Sequence, residues 1–450
     1  MIFLTNASVV TGTDVRKGTV AVDGGRITGI WYDADGKEPE GMEHPRAKVI
    51  PLDGMVLMAG GIDAHVHFRE PGMTQKADME SESAAALLGG VTSVIDMPNT
   101  LPPTVSRERL AEKAELARGR FHTHYGFHIG ATDDNFEELA GAVRAGEAAG
   151  VKVFLGSSTG NMLVGDDSVL DRIFRLQDTE ILVHSEDEAQ IRHNLEIARA
   201  RYGDAVPYSA HPDIRSRRAC ILSTARALEK AIRFGTRLHV LHVSTAEEIE
   251  MIRAARIHNP SITAETSANY LWFSDKDYAR LGGRLKCNPA VKTERDRAAL
   301  RKALADGLID TIGSDHAPHL PEEKARPYLT CPSGLPSIGQ TLPVLLTVAR
   351  EENIPLSVIA RVFSERPAEL FGLQDRGRIA VGCHADLVVV DPEARQTVSK
   401  PAYKCGWSPY EGQTLYGAVR MVLLDGVLAV RDGRLLTEGP CGTALDFRRP

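Results

Sequence analysis

The sequence lacks the features that mark several large classes of protein. No apolar run reaches the roughly 18 residues that a membrane-spanning helix needs. Positive charge is not in excess, because the net charge is −7 and the isoelectric point is near 6.1. Nucleic acid is therefore not expected as the main partner. The first six residues carry neither a basic segment nor a long apolar core, so no secretory signal is expected either.

Cysteines at metal-binding or redox spacing are also missing. The six cysteines are scattered along the chain without a Cys-X-X-Cys motif, at positions 220, 287, 331, 383, 405 and 441. This pattern favours reduced thiols over a disulfide framework or a Cys-based zinc site. A cytoplasmic location is therefore expected.

Both ends of the chain carry the pattern of short strands. Runs rich in β-branched residues, separated by Gly and Asp turns, occur at Ala7-Ser-Val-Val-Thr11 and Gly18-Thr-Val-Ala-Val22. Similar runs occur near the other end, at Ala385-Asp-Leu-Val-Val-Val-Asp391 and Val419-Arg-Met-Val-Leu-Leu-Asp425. Because chain ends often lie close together, we expect one small β-sandwich domain built from both termini, residues 1–55 and 375–450.

The middle of the chain, residues 56–374, alternates strand-like and helix-like segments. The strand candidates are Gly61–His67, Val91–Asp96, His122–Ile129, Val151–Leu155, Ile181–His184, Arg237–Val243, Ile262–Thr266 and Ile309–Ser314. Amphipathic stretches lie between them, and this alternation predicts an α/β fold, a (β/α)8 TIM-like barrel. A doubly wound sheet is the alternative, but no Gly-rich phosphate-binding motif follows the first strand.

The first predicted strand ends in a candidate metal site, within Gly61-Ile-Asp-Ala-His-Val-His-Phe-Arg-Glu-Pro-Gly72. Side chains alternate along a strand, so His65 and His67 point to the same face. Two imidazoles in this arrangement can bind Zn²⁺ or a similar metal ion. Alone, the pattern is a modest signal, and an isolated His-X-His is more often a pair of ordinary surface or core histidines.

Metal-competent or ionisable groups end or follow several predicted strands, and one of them, Lys152, lies within its strand. In a barrel, catalytic groups lie at the carboxyl ends of the strands, and a shared metal centre there is the simplest interpretation. The residues concerned are His65, His67, Asn99, Lys152, His184, His242 and Asp315. His239 lies three residues before His242 and so faces the other way, while His122 and His124 begin their strand. Structural roles are expected for these three histidines.

Lys152 lies inside a predicted strand, where an ammonium group costs several kcal/mol unless it is neutralised or paired. Burial and nearby cations lower the pKa of a lysine and leave a nucleophilic amine. Such an amine can add CO₂ to form a carbamate that bridges two metal ions. An ion pair with Asp315 or Asp96 is the alternative, and the residues alone do not separate the two.

Several motifs together resemble the dihydroorotases of the cyclic amidohydrolase branch of the amidohydrolase superfamily. They are His65-Val-His-Phe-Arg-Glu-Pro-Gly72, Met97-Pro-Asn-Thr100, Lys152-Val-Phe154, His184-Ser-Glu186, Leu241-His-Val-Ser-Thr245, Asn288-Pro-Ala290 and Ser314-Asp-His-Ala-Pro-His319. The resemblance covers nearly the whole chain. Hydantoinases, dihydropyrimidinases and allantoinases look similar at the metal ligands, but they are not expected to carry both Phe-Arg-Glu-Pro-Gly and Met-Pro-Asn-Thr.

The resemblance implies a role for each matching residue. His65 and His67 match the ligands of the more buried of two divalent ions, His184 and His242 match those of the second, and Lys152 matches a carboxylated lysine that bridges them. Asp315 matches an aspartate that binds metal and acts as general acid and base. The matching substrate-binding positions are Arg69, Asn99 and His319 for a carboxylate, and Asn288, Ser333 and Gly334 for the ring.

The implied activity is reversible hydrolysis of the cyclic amide of L-dihydroorotate to N-carbamoyl-L-aspartate, in pyrimidine biosynthesis. Zinc is the expected metal, although manganese, cobalt or iron fit such a site. A small-molecule substrate and a homodimer are expected. Two alternatives stay open: another cyclic amidohydrolase (hydantoinase, dihydropyrimidinase or allantoinase), or an inactive partner of an aspartate transcarbamoylase.

Overall fold

The computed structural model describes residues 1–156 and 162–447. Its strands are β1 (Ile2–Val10), β2 (Val15–Asp23), β3 (Arg26–Tyr32), β4 (Lys48–Pro51), β5 (Val56–Ala59), β6 (Gly61–Val66), β7 (Val91–Asp96), β8 (His124–Phe127), β9 (Ile129–Gly130), β10 (Gly150–Phe154), β11 (Glu180–His184), β12 (Leu238–Val240), β13 (Thr263–Thr266), β14 (Thr311–Ile312), β15 (Leu387–Thr397), β16 (Thr414–Leu424), β17 (Val427–Arg431) and β18 (Arg434–Leu435).

The helices lie mainly between the strands of the middle segment. They are α1 (Met79–Leu88), α2 (Arg107–Ala117), α3 (Phe136–Ala145), α4 (Asp167–Phe174), α5 (Glu188–Tyr202), α6 (His211–Ile214), α7 (Arg217–Phe234), α8 (Ala246–Ala255), α9 (Ala268–Trp272), α10 (Tyr278–Leu281), α11 (Glu294–Ala305), α12 (Pro321–Lys324), α13 (Thr341–Glu351), α14 (Leu356–Ala360) and α15 (Arg366–Phe371). Among the described residues, no helix combines the length and apolar character needed to cross a bilayer.

Strands from both ends of the chain form one nine-stranded sheet, the terminal sheet. Its order is β18-β17-β16-β15-β5-β1-β2-β3, with β4 paired to β1. The two ends meet where β15 runs antiparallel to β5, with Leu387 opposite Ala59. Each of the strands β1, β2 and β15 has a buried part, which includes Phe3, Leu4 and Val9 of β1, residues 18–22 of β2 and residues 387–390 of β15. Strands from both ends of the chain thus lie in one sheet, and β5 extends this sheet past residue 55.

The middle segment holds two parallel sheets, β6-β7-β8 and β14-β13-β12-β11-β10-β9. Only His128 separates β8 from β9. At the other edge, Val66 of β6 forms a parallel bridge with His316, just beyond β14. Strands β6, β7, β10 and β11 are buried along their whole length, as expected for parallel strands covered on both faces. The predicted α/β class with parallel strands is confirmed.

Each predicted strand of the middle segment overlaps an observed one, and the third is split at His128. The N–H of His128 donates to Asp96 O, and its ring Nε2 lies 3.0 Å from Ala64 O, so the break is hydrogen-bonded to the neighbouring strands. The sequence pattern also places Ser185 as the N-cap of the helix that follows β11, and this is wrong. Asp187 caps α5 through its contact with Gln190 N, while Ser185 contacts Ser223.

Candidate metal centre

The carboxyl ends of the parallel strands surround a small cavity, and this strand-end cavity gathers residues that are far apart in the sequence. All six predicted metal ligands line it, together with three of the predicted substrate-binding residues. Its walls are formed by His65, His67, Lys152, Phe154, His184, His242, Asn288, Asp315, Ala317, Ser333 and Gly334.

One half of the cluster consists of His65, His67 and Asp315, whose donor atoms lie within 4.8 Å of one another. The Nε2 atoms of His65 and His67 lie 3.5 and 3.2 Å from Asp315 Oδ1. Their Nδ1 atoms face away from the cavity, at 2.6 Å from Glu265 Oε1 and 2.7 Å from Asn99 Oδ1. Metal-binding histidines almost always donate their second ring N–H to such an oxygen.

The other half consists of His184 and His242. Nδ1 of His184 lies 2.9 Å from Nε2 of His242, and Nε2 of His184 lies 2.9 Å from Glu186 Oε2. Glu186 in turn forms an ion pair with Arg215. Burial lowers the pKa of both histidines, so both rings are neutral near pH 7, the state that can bind a metal ion.

Lys152 projects from β10 into the cavity and is only 1% exposed. Its Nζ lies 4.7 Å from the centre of the Phe154 ring. Within residues 1–156 and 162–447, it has no hydrogen-bond or ion-pair partner, and Asp96 pairs instead with Lys113 at 2.5 Å. Burial lowers the pKa of Lys152 to about 7, although Asp315 and Glu265 oppose the shift. The ion pairs considered as alternatives are therefore not formed.

Asp315 follows β14 and is the carboxylate of the cavity. Burial raises the pKa of Asp315, but His65, His67 and Lys152 outweigh this effect, so the pKa is lowered overall. The backbone φ angles of Asp315 and His242 are +48° and +38°. These are unusual values for residues other than glycine, and such backbone strain concentrates at functional sites.

The donor set fits a divalent metal ion. In tetrahedral zinc sites, with bonds of about 2.0–2.1 Å, two ligand atoms lie about 3.3 Å apart. The pairs His67–Asp315, His65–Asp315 and His184–His242 lie at 3.2, 3.5 and 2.9 Å. Four imidazoles, one carboxylate and the amine of Lys152 therefore surround a space of suitable size.

Arg69, Asn99 and His319 are not part of the cavity wall but lie directly behind it. Arg69 is 2% exposed, its Nε donates to Pro318 O at 3.1 Å, and its Nη2 lies 3.1 Å from His319 Nε2. No carboxylate in the described part of the chain forms an ion pair with Arg69. His319 Nε2 also lies 3.0 Å from Ser333 O, which connects the pair to the cavity wall.

Burial and the adjacent Arg69 lower the pKa of His319 to about 3, and burial lowers that of Arg69 to about 10. His319 is therefore neutral near pH 7 while Arg69 stays charged. Asn288, in the wall, has a buried Oδ1 that finds no hydrogen-bond partner within residues 1–156 and 162–447. Among the described residues, a guanidinium without a carboxylate partner thus lies behind the cavity wall, and an amide oxygen without a donor lies in it.

The sequence analysis did not single out several residues that support the site. Glu265 ends a predicted strand on the same rim, and that position is a signal that could have identified it. Lys324 Nζ donates to Lys286 O, Pro332 O and Gly334 O at 2.8–3.0 Å. Trp407 Nε1 donates to His319 O at 2.7 Å. No local sequence pattern reveals the contacts of Lys324 and Trp407.

Comparison with known proteins places this arrangement in a family. The amidohydrolase family model matches residues 56–429. A dihydroorotase from Methanosarcina acetivorans is 35% identical over 424 residues, covering 91% of this chain and 88% of that protein. An allantoinase from Streptomyces avermitilis is 32% identical, covering 97% and 98%.

Among solved structures, the L-hydantoinase of Arthrobacter aurescens superimposes with a TM-score of 0.91 at 27% identity, covering 99% of each chain. Both the matched residues and the overall fold thus agree with the resemblance found in the motifs. The chain belongs to the amidohydrolase family and is similar to its dihydroorotases, allantoinases and hydantoinases.

Proposed function

We propose that this protein is a dihydroorotase, which hydrolyses the cyclic amide of L-dihydroorotate reversibly and serves pyrimidine biosynthesis. Family membership supports a hydrolase of this general type. Dihydroorotases and allantoinases are similar to the chain at 35% and 32% identity, so overall similarity does not select the ring. The choice between rings rests on the site.

The observation that carries the proposal is the buried guanidinium of Arg69, which has no carboxylate partner among the described residues. A buried charge is costly unless it is paired, and an arginine fork binds a carboxylate through two parallel hydrogen bonds. L-dihydroorotate supplies a ring carboxylate, whereas hydantoin, dihydrouracil and allantoin do not. An anionic substrate therefore completes the site best.

We infer that His65 and His67 hold one divalent ion and that His184 and His242 hold a second, with zinc the best-fitting metal. Lys152 would bridge the two ions as a carbamate, formed when its neutral amine bonds to the carbon of CO₂ and loses a proton. When bound, the ions make a strong nucleophile available at neutral pH and polarise the amide carbonyl.

The other residues bind the substrate and move protons. Asp315, ionised near pH 7, accepts the proton of the attacking water and passes it to the leaving ring nitrogen. Arg69, with Asn99 and the neutral His319, holds the ring carboxylate and so fixes which carbonyl faces the metal centre. Asn288 and the backbone of Ser333 and Gly334 contact the ring.

The proposal extends to the architecture. The bridge between Val66 and His316, and the single-residue gap between β8 and β9, support a closed (β/α)8 barrel over residues 56–374. Residues 1–55 and 375–450 would form the β-sandwich domain. A homodimer in the cytoplasm completes the proposal.

A substrate panel tests the proposed function. Wild-type protein should turn over L-dihydroorotate in preference to hydantoin, dihydrouracil and allantoin. Arg69→Met should raise KM for dihydroorotate about ten- to a hundredfold, because hydrogen bonds to charged groups contribute about 1.5–3 kcal/mol. Arg301→Met is the matched control, since this buried arginine pairs with Glu351 and Glu352 instead.

Preference for an uncharged ring, or an unchanged KM in Arg69→Met, would contradict the dihydroorotase assignment. Lack of any turnover in protein that carries its full complement of metal would indicate the inactive-partner alternative.

A further inference from the structure

Glu265, at the carboxyl end of β13, contacts both halves of the candidate metal centre. It is 1% exposed. Its Oε1 lies 2.6 Å from Nδ1 of His65 and accepts the backbone N–H of His242 at 3.3 Å. One carboxylate oxygen thus joins a side chain of the first pair of predicted ligands to the backbone of the second pair.

The segment just after β14, the strand that pairs with β13, leaves space for the carboxylate of Glu265. A Cβ atom added at Gly313 would lie 2.5 Å from both Cδ and Oε2 of Glu265. Contacts that close do not occur between real side chains, so residue 313 has to be glycine while the carboxylate stays in place. Gly313 lies two residues before Asp315, so the carboxylate of Glu265 also packs against the segment that leads to Asp315.

The charge of Glu265 points to the same role. In the described part of the chain, no lysine or arginine pairs with it, and the groups nearest to its carboxylate are the imidazoles of His65 and, at 3.7 Å, His239. Several kcal/mol are needed to bury an unpaired carboxylate. A cation bound to His65 Nε2 would supply the missing positive charge through the imidazole ring.

We propose that Glu265 is a positioning residue for the metal centre. It keeps His65 in the tautomer whose Nε2 is free to bind metal, and it holds the backbone of His242 at its unusual positive φ of 38°. This inference rests on the metal centre of the proposed function, but not on the identity of the substrate.

Metal binding without substrate tests the inference. Glu265→Gln keeps the shape of the side chain and removes the charge, whereas Glu265→Asp keeps the charge and withdraws it by one methylene. Zn²⁺ affinity, measured by competition with a chelator, should fall about ten- to a hundredfold in both variants, as for other residues that orient metal-binding histidines. The visible spectrum of the Co²⁺-loaded protein should also change.

Glu248→Gln is the matched control. Glu248 is another buried carboxylate, but it caps α8 through Thr245 and contacts no predicted ligand. Its substitution should leave Zn²⁺ affinity and the Co²⁺ spectrum unchanged. An equal loss in the control would overturn the inference, because the loss would then reflect general destabilisation.

Wild-type affinity and an unchanged Co²⁺ spectrum in either Glu265 variant would also overturn the inference, even if the wild-type protein turns over dihydroorotate. Conversely, weakened metal binding in both variants would support it even if the wild-type protein prefers another ring. Failure of the inference about Glu265 can thus be distinguished from failure of the proposed function.

Discussion

Two clusters of histidine and carboxylate lie at opposite ends of the parallel strands, and in each the donor atoms lie within 4.8 Å of one another. The rim cluster, at the carboxyl ends, consists of His65, His67 and Asp315. The far cluster, where β8 begins, consists of His124, Asp386 and Asp425. By residue type and spacing the two are nearly equivalent, so their surroundings have to explain any difference in function.

The donors of the far cluster are used within the protein. His124 Nε2 lies 3.3 Å from Asp386, and Arg376 forms ion pairs with both Asp386 and Asp425. Asp425 also accepts from His384 at 2.7 Å. Burial raises the pKa of Asp386, but His124 and Arg376 lower it to about 2. This cluster therefore joins the terminal sheet to the parallel strands.

The rim cluster is surrounded by groups that lack partners. Lys152 Nζ and Asn288 Oδ1 form no hydrogen bonds among the described residues, and Arg69 has no carboxylate partner there. Because burying such groups lowers stability, their accumulation at one place indicates that ligands complete the site. Unsatisfied neighbouring groups, more than the number of histidines, therefore distinguish a reaction site from a structural network.

Substitution of Lys152 should produce the largest effect on activity. Lys152→Met should lower turnover by about a thousandfold or more, because the bridge between the two ions is lost. Its free energy of unfolding should stay the same or rise, since a buried amine without a partner is replaced by an apolar chain of similar length. Steady-state kinetics and urea unfolding measure the two quantities. A clear loss of stability would mean that Lys152 has a structural partner.

At the far cluster, substitution should lower stability and leave turnover nearly unchanged, which is the opposite of the effect expected for Lys152→Met. Arg376→Met should cost about 3–5 kcal/mol of unfolding free energy, because it leaves Asp386 buried without its partner. The turnover number per folded molecule should stay within twofold of the wild-type value. If turnover fell as strongly as in Lys152→Met, the two clusters would not be functionally separate.

The pH dependence of the free energy of unfolding should reveal the buried His67 of the rim cluster. Burial lowers the pKa of His67 from 6.5 to about 4, so below pH 6.5 the unfolded chain binds a proton that the folded chain does not. In metal-free protein, stability should therefore fall as the pH falls from 6.5 to 4. His67→Asn should reduce the slope by about 1.4 kcal/mol per pH unit. Urea unfolding across this range measures it, and an unchanged slope would contradict the assigned shift.

The smallest effect on activity is expected from substitution of Trp407, through which the C-terminal region contacts His319. Trp407→Phe removes the N–H that donates to His319 O, and a lost hydrogen bond costs about 1 kcal/mol. KM for dihydroorotate should rise about fivefold, with little change in turnover number. An unchanged KM would show that His319 is held in place without this contact.

The sequence predicted the parts of the site that follow from periodicity. His65 and His67 share a face because they are two residues apart on a strand. His184 and His242 were located from strand ends, and Lys152 from its position inside a strand. These inferences need only the direction of the chain and the position of each strand. For the far cluster, the sequence predicted only a structural role for His124, because this residue begins its strand.

The arrangement behind the cavity could not be predicted in this way. β6 ends at Val66, and Arg69 has a φ of +64°, so its side chain does not share the face of His65 and His67. Trp407 and His319 are 88 residues apart, and no local pattern links such positions.

Anomalous diffraction from crystals of the zinc-loaded protein would show whether the metal ions bind at the rim cluster and not at the far cluster. We predict two peaks among His65, His67, His184, His242 and Asp315, with density beyond Lys152 Nζ that joins them, and none between His124 and Asp386. A peak in the far cluster, or an unoccupied rim cluster in fully loaded protein, would contradict the account.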